Sequence, residues 1–416
     1  MKIVGLITEY NPFHNGHLYH LNESKRITNS EYSVAIMSGN FLQRGEPALV
    51  DKWTRAKMAV DNGVDLVIEL PIIYACQSAE LFAFGAIKIL DSMGCIDSVC
   101  FGSELGDIQL LNYITKILYY EPDSYVKSLK SALEQGFSYP KAIEYALINY
   151  LKESSTIDTS IISNIISNPN NILSIEYLKA LNRIGSEIKP YTIKRKQSRY
   201  HDKSLTGSIS SATAIREQII NNSWMENIKH TVPPITYKHL KNFYSENNDF
   251  NSLNNFSVIL LYLLRNTTSE KLKNIIDVTE GLENRIISCS NNHSNIYEIL
   301  NCMNTKRYTT TRLKRILIHL LINLNKDIFN NLNLHGPQYI RILGMSAKGI
   351  KIIKQAKRTS SLPIITKFAD YIMLNNEILN QMIELDKKAT DIYVLGLSKS
   401  QMKSNLDYFT SPYIRL

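Results

Sequence analysis

Two imidazoles flank a glycine in the segment Asn11-Pro12-Phe13-His14-Asn15-Gly16-His17. His14 and His17 can donate N–H bonds to phosphate oxygens as charge builds during nucleotidyl transfer. Gly16 lets a phosphate or base approach the backbone with no Cβ in the way. Amides at a helix N-terminus, backed by the helix dipole, favour an anion at the same place. Taken alone, the string has a second reading: histidines capping a helix. Further along, Ile209-Ser210-Ser211-Ala212-Thr213-Ala214-Ile215-Arg216 offers hydroxyls and amides at another helix start, with Arg216 as a charge partner. A serine N-cap on an amphipathic helix accounts for that segment equally well by itself. Arg44 and Lys52 stay open between phosphate or RNA contact and solvated surface charge. Cys100, beside Phe101-Gly102, reads as an acyl-thioester nucleophile or, with more weight, as a buried strand thiol.

The scaffold for these groups is legible in the hydrophobic pattern. Residues 2 to 7 form an apolar β-rich run, and the turn dipeptides Asn11-Pro12 and Asn15-Gly16 separate it from a helix starting near Gly16. Strand candidates follow at Ser33 to Ser38, Asp65 to Leu70 and Ser98 to Gly102, with helices near Lys52 to Asn62 and Ala79 to Met93 between them. This alternation predicts a doubly wound parallel α/β sheet, whose ligands bind at the carboxyl ends of strands. The His14–His17 string falls at the first of those ends. Residues 108 to 168 read as a helical insertion; a helix at Ile172 to Leu181 and a strand at Glu187 to Ile193 follow, then the loop Ser204 to Ser211. Beyond residue 225 the period is mostly helical, apart from β-like runs at Tyr339 to Leu343 and Asp391 to Leu397. The expected division is an N-terminal nucleotide domain over 1–228 and a mainly helical, basic domain over 229–416.

Bulk composition narrows the class. Apolar residues make up 44% of 416, enough for real cores. The +9 net charge favours a polyanionic partner, although lysine-rich coding bias offers an alternative cause. Five cysteines with no Cys-x-x-Cys pair suit neither a disulfide framework nor a zinc site, so reduced thiols are expected. The N-terminal apolar run is too short for a signal peptide, and no stretch reaches the roughly 18 apolar residues of a membrane span. A cytoplasmic protein without membrane contact, obligatory protein partner or protein-held metal is expected. Basic stretches at Lys306 to Arg315 and Arg341 to Arg358 place Lys306, Arg307, Tyr308, Arg312 and Arg315, and on one helical face Lys351, Lys354 and Arg358, as RNA-contact candidates, with Tyr308 stacking on a base. The alternative is a solvated helix face.

The string His14-Asn15-Gly16-His17 at a strand-to-helix turn resembles the His-x-Gly-His signature of the nucleotidylyltransferase superfamily. Ile209 to Arg216 resembles its Ile-Ser-Ser-Thr-x-Ile-Arg motif, with one extra residue before Thr213. Longer strings look like the tRNA(Met) cytidine acetate ligases: Gly5 to His17, Met37 to Ala48, Val67 to Pro71, Cys100 to Glu104, Pro169 to Leu173, Lys306 to Thr309 and Ser360 to Lys367. The resemblance implies a Rossmann-like nucleotide domain. It also implies formation of acetyl-adenylate from ATP and acetate, and acetyl transfer to the wobble cytidine of elongator tRNA(Met). Magnesium is expected with ATP. By resemblance, His14 and His17 are catalytic, and ATP lies along Ile7, Thr8, Glu9, Tyr10, Asn11, Pro12, Phe13, His14, Asn15, Gly16, His17, Leu18, Tyr19 and His20. Gly102, Asn170, Arg195, Ser211 and Thr213 complete that set. Ser174 stands where the family pattern has glycine, and the Lys194-Arg195-Lys196 run leaves the register of the arginine contact open. The rival readings are a metabolic adenylyltransferase acting on a phosphorylated cofactor precursor and a catalytically inert RNA-binding protein.

Overall fold

The computed structural model describes residues 1–154, 159–195, 210–220, 224–305, 307–398 and 403–416. Strands β1 (Ile3–Thr8), β2 (Tyr32–Ser38), β3 (Leu66–Leu70) and β4 (Ser98–Ser103) are apolar and buried on both faces, as a covered parallel sheet requires. Between them run α1 (Asn15–Ile27), α2 (Lys52–Asp61), the short α3 (Ile72–Ala75) and α4 (Ala79–Ser92). Polar N-caps start three of these helices: His14 for α1, Asp51 for α2 and Ser78 for α4. The insertion folds as α5 (Ile108–Tyr120), α6 (Asp123–Glu134), α7 (Tyr139–Ser154) and α8 (Ile162–Ser167). Helix α9 (Pro169–Ile184) starts on a proline and ends at Gly185, whose φ of 68° is the left-handed stop that glycine adopts without strain. Strand β5 (Lys189–Lys194) and α10 (Ala212–Ile220) follow.

The helical region comprises α11 (Trp224–Asn227), α12 (Pro234–Asn247), α13 (Ser257–Asn266), α14 (Ser269–Lys273), α15 (Leu282–Asn292), α16 (Ile296–Met303), α17 (Thr310–Ile322) and α18 (Lys326–Leu334). The chain then returns to the sheet through β6 (Ile340–Ser346), α19 (Ala347–Thr359), β7 (Ile364–Ile365), α20 (Glu377–Tyr393), α21 (Leu406–Phe409) and β8 (Tyr413–Arg415). Sheet order is β5-β4-β1-β2-β3-β6-β7, with β8 also pairing β6. The first five strands are parallel, while β6 joins β3 antiparallel. The sheet therefore draws strands from both sides of the 228/229 division.

Two expectations need correction. The β-like run at 391–397 continues α20 into a 3₁₀ turn at Val394–Gly396. Leu385, Ala389 and Tyr393 are buried at i, i+4 and i+8, so the helical period outweighs the local apolar run. Cys289 and Cys302, expected as thiols, form a disulfide. Packing of α15 against α16 brings their Cα atoms to 5.8 Å, a proximity invisible in spacing alone. Cys76, Cys95 and Cys100 are free, and burial pushes the Cys100 thiol up to about 12, which leaves it protonated and a poor nucleophile.

Candidate active site

The β1–α1 turn is held by buried packing and by its own histidines. Tyr10, at a left-handed φ of 47°, and Phe13 are fully enclosed, their ring centroids 4.8 Å apart. Their rings pack on each other and on the core, which shapes the turn. His14 caps α1: its Nδ1 accepts from the Gly16 amide at 3.0 Å, while the His14 amide donates to His17 Nδ1 at 3.3 Å. The two rings stack with centroids 3.7 Å apart. Burial, reinforced by the charges of Arg195 and Arg216, lowers His14 to about 3. Burial also holds His17 well below its ordinary value and His20 at about 4, with Arg195 contributing to both. All three are neutral at physiological pH. Because each Nδ1 of His14 and His17 accepts an amide N–H, the neutral rings carry hydrogen on Nε2. The His17 ring also bonds the Pro12 carbonyl, which partly offsets the lowering by burial. Among the described residues His20 Nε2 has no hydrogen-bond partner.

The two motifs meet. Arg216 of α10 donates through one nitrogen to the Asn11 carbonyl at 3.0 Å and through the other to Thr213 Oγ1 at 3.3 Å. Ser211 Oγ accepts from the Ala214 amide at 3.1 Å, an N-cap for α10. Thus the helix-cap reading of Ser211 and its place beside the first motif hold together. Ile209, Lys196 and the loop 204–209 lie outside the described residues. Gly102, the penultimate residue of β4, lies next to Arg195, whose Cγ would sit 3.4 Å from a Cβ placed on that glycine. Asn170, in the first turn of α9, donates to Glu104 Oε1 at 2.5 Å, and the Asn171 amide donates to Glu104 Oε2 at 2.8 Å. Buried Ser174 bonds the Asn170 carbonyl at 2.7 Å, so serine fits where the family pattern has glycine. At the end of β1, Thr8 Oγ1 donates to Ile36 O, and Glu9 accepts from the Gln43 amide. Ile7, Leu18 and Tyr19 are part-buried against the core, and Asn15 donates to the His230 carbonyl. From β1 the order runs to β2 and β3 on one side and to β4 and β5 on the other. The gathered residues therefore stand at the topological switch point.

Three residues that sequence reading did not select hold this place together. Arg55 is fully buried and donates to the carbonyls of Glu9, Ser38, Gly39 and Val50, clamping the ends of β1 and β2. Glu104 fixes the start of α9, and Glu46 pairs with Lys314 at 2.5 Å and with Arg216 at 3.9 Å. A single cation or carboxylate in a loop gives no signal of its own; only the fold supplies its partners. Lys52 is not a surface or phosphate-binding group. It is fully buried, paired with Glu69 and Asp407 at 2.8 and 2.7 Å. Arg44 is part-buried near Glu46, whose carboxyl is affected by its charge.

The first basic stretch is largely turned inward. Tyr308 is 8% exposed, and Arg312 lies over its ring, so it offers no open face for a base. Arg312 also donates to the Asp277 carbonyl, and Arg315 pairs with the Asp277 carboxylate at 3.1 Å. Arg307 is exposed and paired with Glu280; Lys306 lies outside the described residues. On α19, by contrast, Lys351, Lys354 and Arg358 are all exposed, with Lys348 and Lys357 beside them. No described helix is long and apolar enough to cross a membrane.

Neutral imidazole donors at a helix start, and an arginine-bearing helix facing them across a sheet's switch point, belong to the nucleotidylyltransferase class. The HIGH Nucleotidyl Transferase family matches residues 1–407. The chain is 45% identical to the tRNA(Met) cytidine acetate ligase of Alkaliphilus metalliredigens over 100% of its own length and 99% of that protein's. It is 46% identical to the enzyme of the same name from Thermoanaerobacter sp. strain X514, with full coverage of both. It superposes on the crystal structure of Thermotoga maritima TmcAL bound with alpha-thio ATP at a TM-score of 0.92, 36% identical over both full chains, and on the apo form at 0.95. The chain belongs to the HIGH Nucleotidyl Transferase family and, within it, to the tRNA(Met) cytidine acetate ligases.

Proposed function

We propose that the protein is an ATP-dependent ligase that activates acetate as acetyl-adenylate and transfers the acetyl group to the exocyclic amine of the wobble cytidine in elongator tRNA(Met). The observation that carries this reading is the meeting of the His14–His17 turn and the Ser211–Arg216 helix start, bridged by Arg216 on the Asn11 carbonyl. An acetate oxygen attacks the α-phosphorus of ATP; the new P–O bond forms as the bond to pyrophosphate breaks. His14 and His17 donate Nε2–H bonds to the charge that builds on phosphate oxygens and keep those protons throughout. Arg216 and the α10 amides receive the leaving pyrophosphate, while Arg195, Gly102 and Asn170 frame the nucleoside side. The cytidine amine then attacks the acetyl carbonyl, AMP leaves, and the amine loses a proton.

Among the described residues no cluster of three His, Cys, Asp or Glu side chains is placed to hold a metal ion. Magnesium accompanying ATP would ride on phosphate oxygens. The exposed face of α19, with Lys351, Lys354 and Arg358, supplies the phosphate contacts for tRNA. In this reading residues 1–228 form the nucleotide unit and 229–416 supply the RNA-facing unit. Pyrophosphate exchange into ATP that depends on acetate tests the first half-reaction. Exchange that instead requires a phosphorylated cofactor precursor would replace the ligase reading with a metabolic adenylyltransferase.

A further inference from the structure

Glu46 sits on the loop between β2 and α2, far in sequence from both of its partners. One carboxylate oxygen is 2.5 Å from Lys314 Nζ on α17, and the other is 3.9 Å from an Arg216 nitrogen on α10. Burial raises the Glu46 carboxyl, but Arg216, Lys314 and Arg44 outweigh that and hold it below its ordinary value, so it is ionised. The loop itself cannot follow a moving partner. Leu42 and Glu46 are joined backbone to backbone at 2.9 Å, and Gly45 at φ +75° packs so tightly on α17 that a Cβ would collide with the Lys314–Arg315 backbone. Arg216 in turn reaches the His14 turn through the Asn11 carbonyl, and its charge is felt at His14.

We propose that Glu46 is a positioning residue: anchored on α17 by Lys314, it fixes the Arg216 guanidinium over the Asn11 carbonyl, set to receive the phosphates of a nucleoside triphosphate. This rests on the ATP reading above and adds to it a fixed ionic link from the helical region to the triphosphate end of the site. Without the carboxylate, Arg216 keeps two neutral acceptors among the described residues, the Asn11 carbonyl and Thr213 Oγ1, and loses the anionic partner of its second nitrogen. Binding of triphosphate weakens, while the acetate end is untouched.

The test compares full-length wild type, E46D, E46Q, K314M, R216Q and E46Q/R216Q in acetate-dependent ATP–pyrophosphate exchange, with thermal melting alongside. E46Q is expected to raise KM for ATP about tenfold at unchanged KM for acetate, with E46D recovering most of the loss. K314M, which removes only the outer cation, raises KM for ATP by a smaller factor and serves if E46Q does not fold. In the R216Q background E46Q adds nothing, because the group it positions is gone. An equal penalty from E46Q with and without Arg216, or an unchanged KM for ATP in both E46Q and K314M, overturns the proposal. Wild type that gives no exchange speaks against the adenylation reading instead; ATP dissociation constants of the same variants then carry the comparison.

Discussion

His14 does two jobs with one ring, and the two can be separated by substitution. Nδ1 caps α1 through the Gly16 amide, which leaves Nε2–H for phosphate. His14→Ala removes both, whereas His14→Asn retains a capping oxygen. Both variants should lose about 10²–10³-fold in acetate-dependent exchange, the usual cost of one transition-state donor. Only the alanine should also lose about 1 kcal/mol of stability in denaturant titration. Asparagine activity near wild type would show that capping is the whole role of His14. The depressed pKa has a further consequence with a definite sign. A histidine at about 3 when folded binds its proton in the unfolded chain first, near 6.5, so stability is full above that pH and declines as pH falls toward 3. Asp386, raised by burial to about 7, pulls the other way over much of the same window. The diagnostic quantity is therefore the difference between proteins: His14→Asn should lose less stability than wild type between pH 7 and pH 5. An identical slope would mean that His14 is not neutral by burial.

At the scale of elements, the loop from Phe41 to Pro47 is the least forgiving part of the site. Gly45→Ala meets both a positive φ and the α17 backbone, and a cost of about 2–4 kcal/mol is expected from strain and overpacking together. Urea unfolding measures it; a loss under about 0.5 kcal/mol would show that the loop is not docked as described. The helices and strands flanking this loop are easy to read in sequence, because β1 to β4 are short apolar runs buried on both faces and separated by helical periods. The run Asp391 to Leu397 looked like a strand for the same reason, yet it finishes a helix whose buried face is only apparent over twelve residues, from Met382 to Tyr393. The motif at 14–17 was legible because all its members are local. Arg216 was legible as part of the second motif, but its pairing with Glu46 and Lys314 was not, since that spans α10, α17 and a loop, and nothing in any one segment announces it. The Cys289–Cys302 bond was missed on the same ground.

The whole molecule is closed by charge as well as by apolar packing. Lys52 and Arg341 share Glu69 and Asp407 in a buried four-membered network that ties α2, β3, β6 and α21 together. Removing one cation leaves two carboxylates on a single guanidinium, so Lys52→Met should cost about 3–5 kcal/mol by chemical denaturation. A neutral substitution would mean that the network is not buried as a unit. On the outside, Lys351, Lys354 and Arg358 face solvent from one side of α19. Replacing all three with glutamate should raise KM for tRNA and flatten its salt dependence, while ATP–pyrophosphate exchange stays at the wild-type level. An unchanged KM for tRNA at every salt concentration would remove α19 from the RNA surface.

The most direct measurement combines purified protein with labelled acetate, ATP and bulk bacterial tRNA, followed by nucleoside analysis, with His14→Ala in parallel. The expected result is label in acetylcytidine alone, from elongator tRNA(Met), and none with the variant. Folded wild-type protein that labels no nucleoside would contradict the ligase assignment.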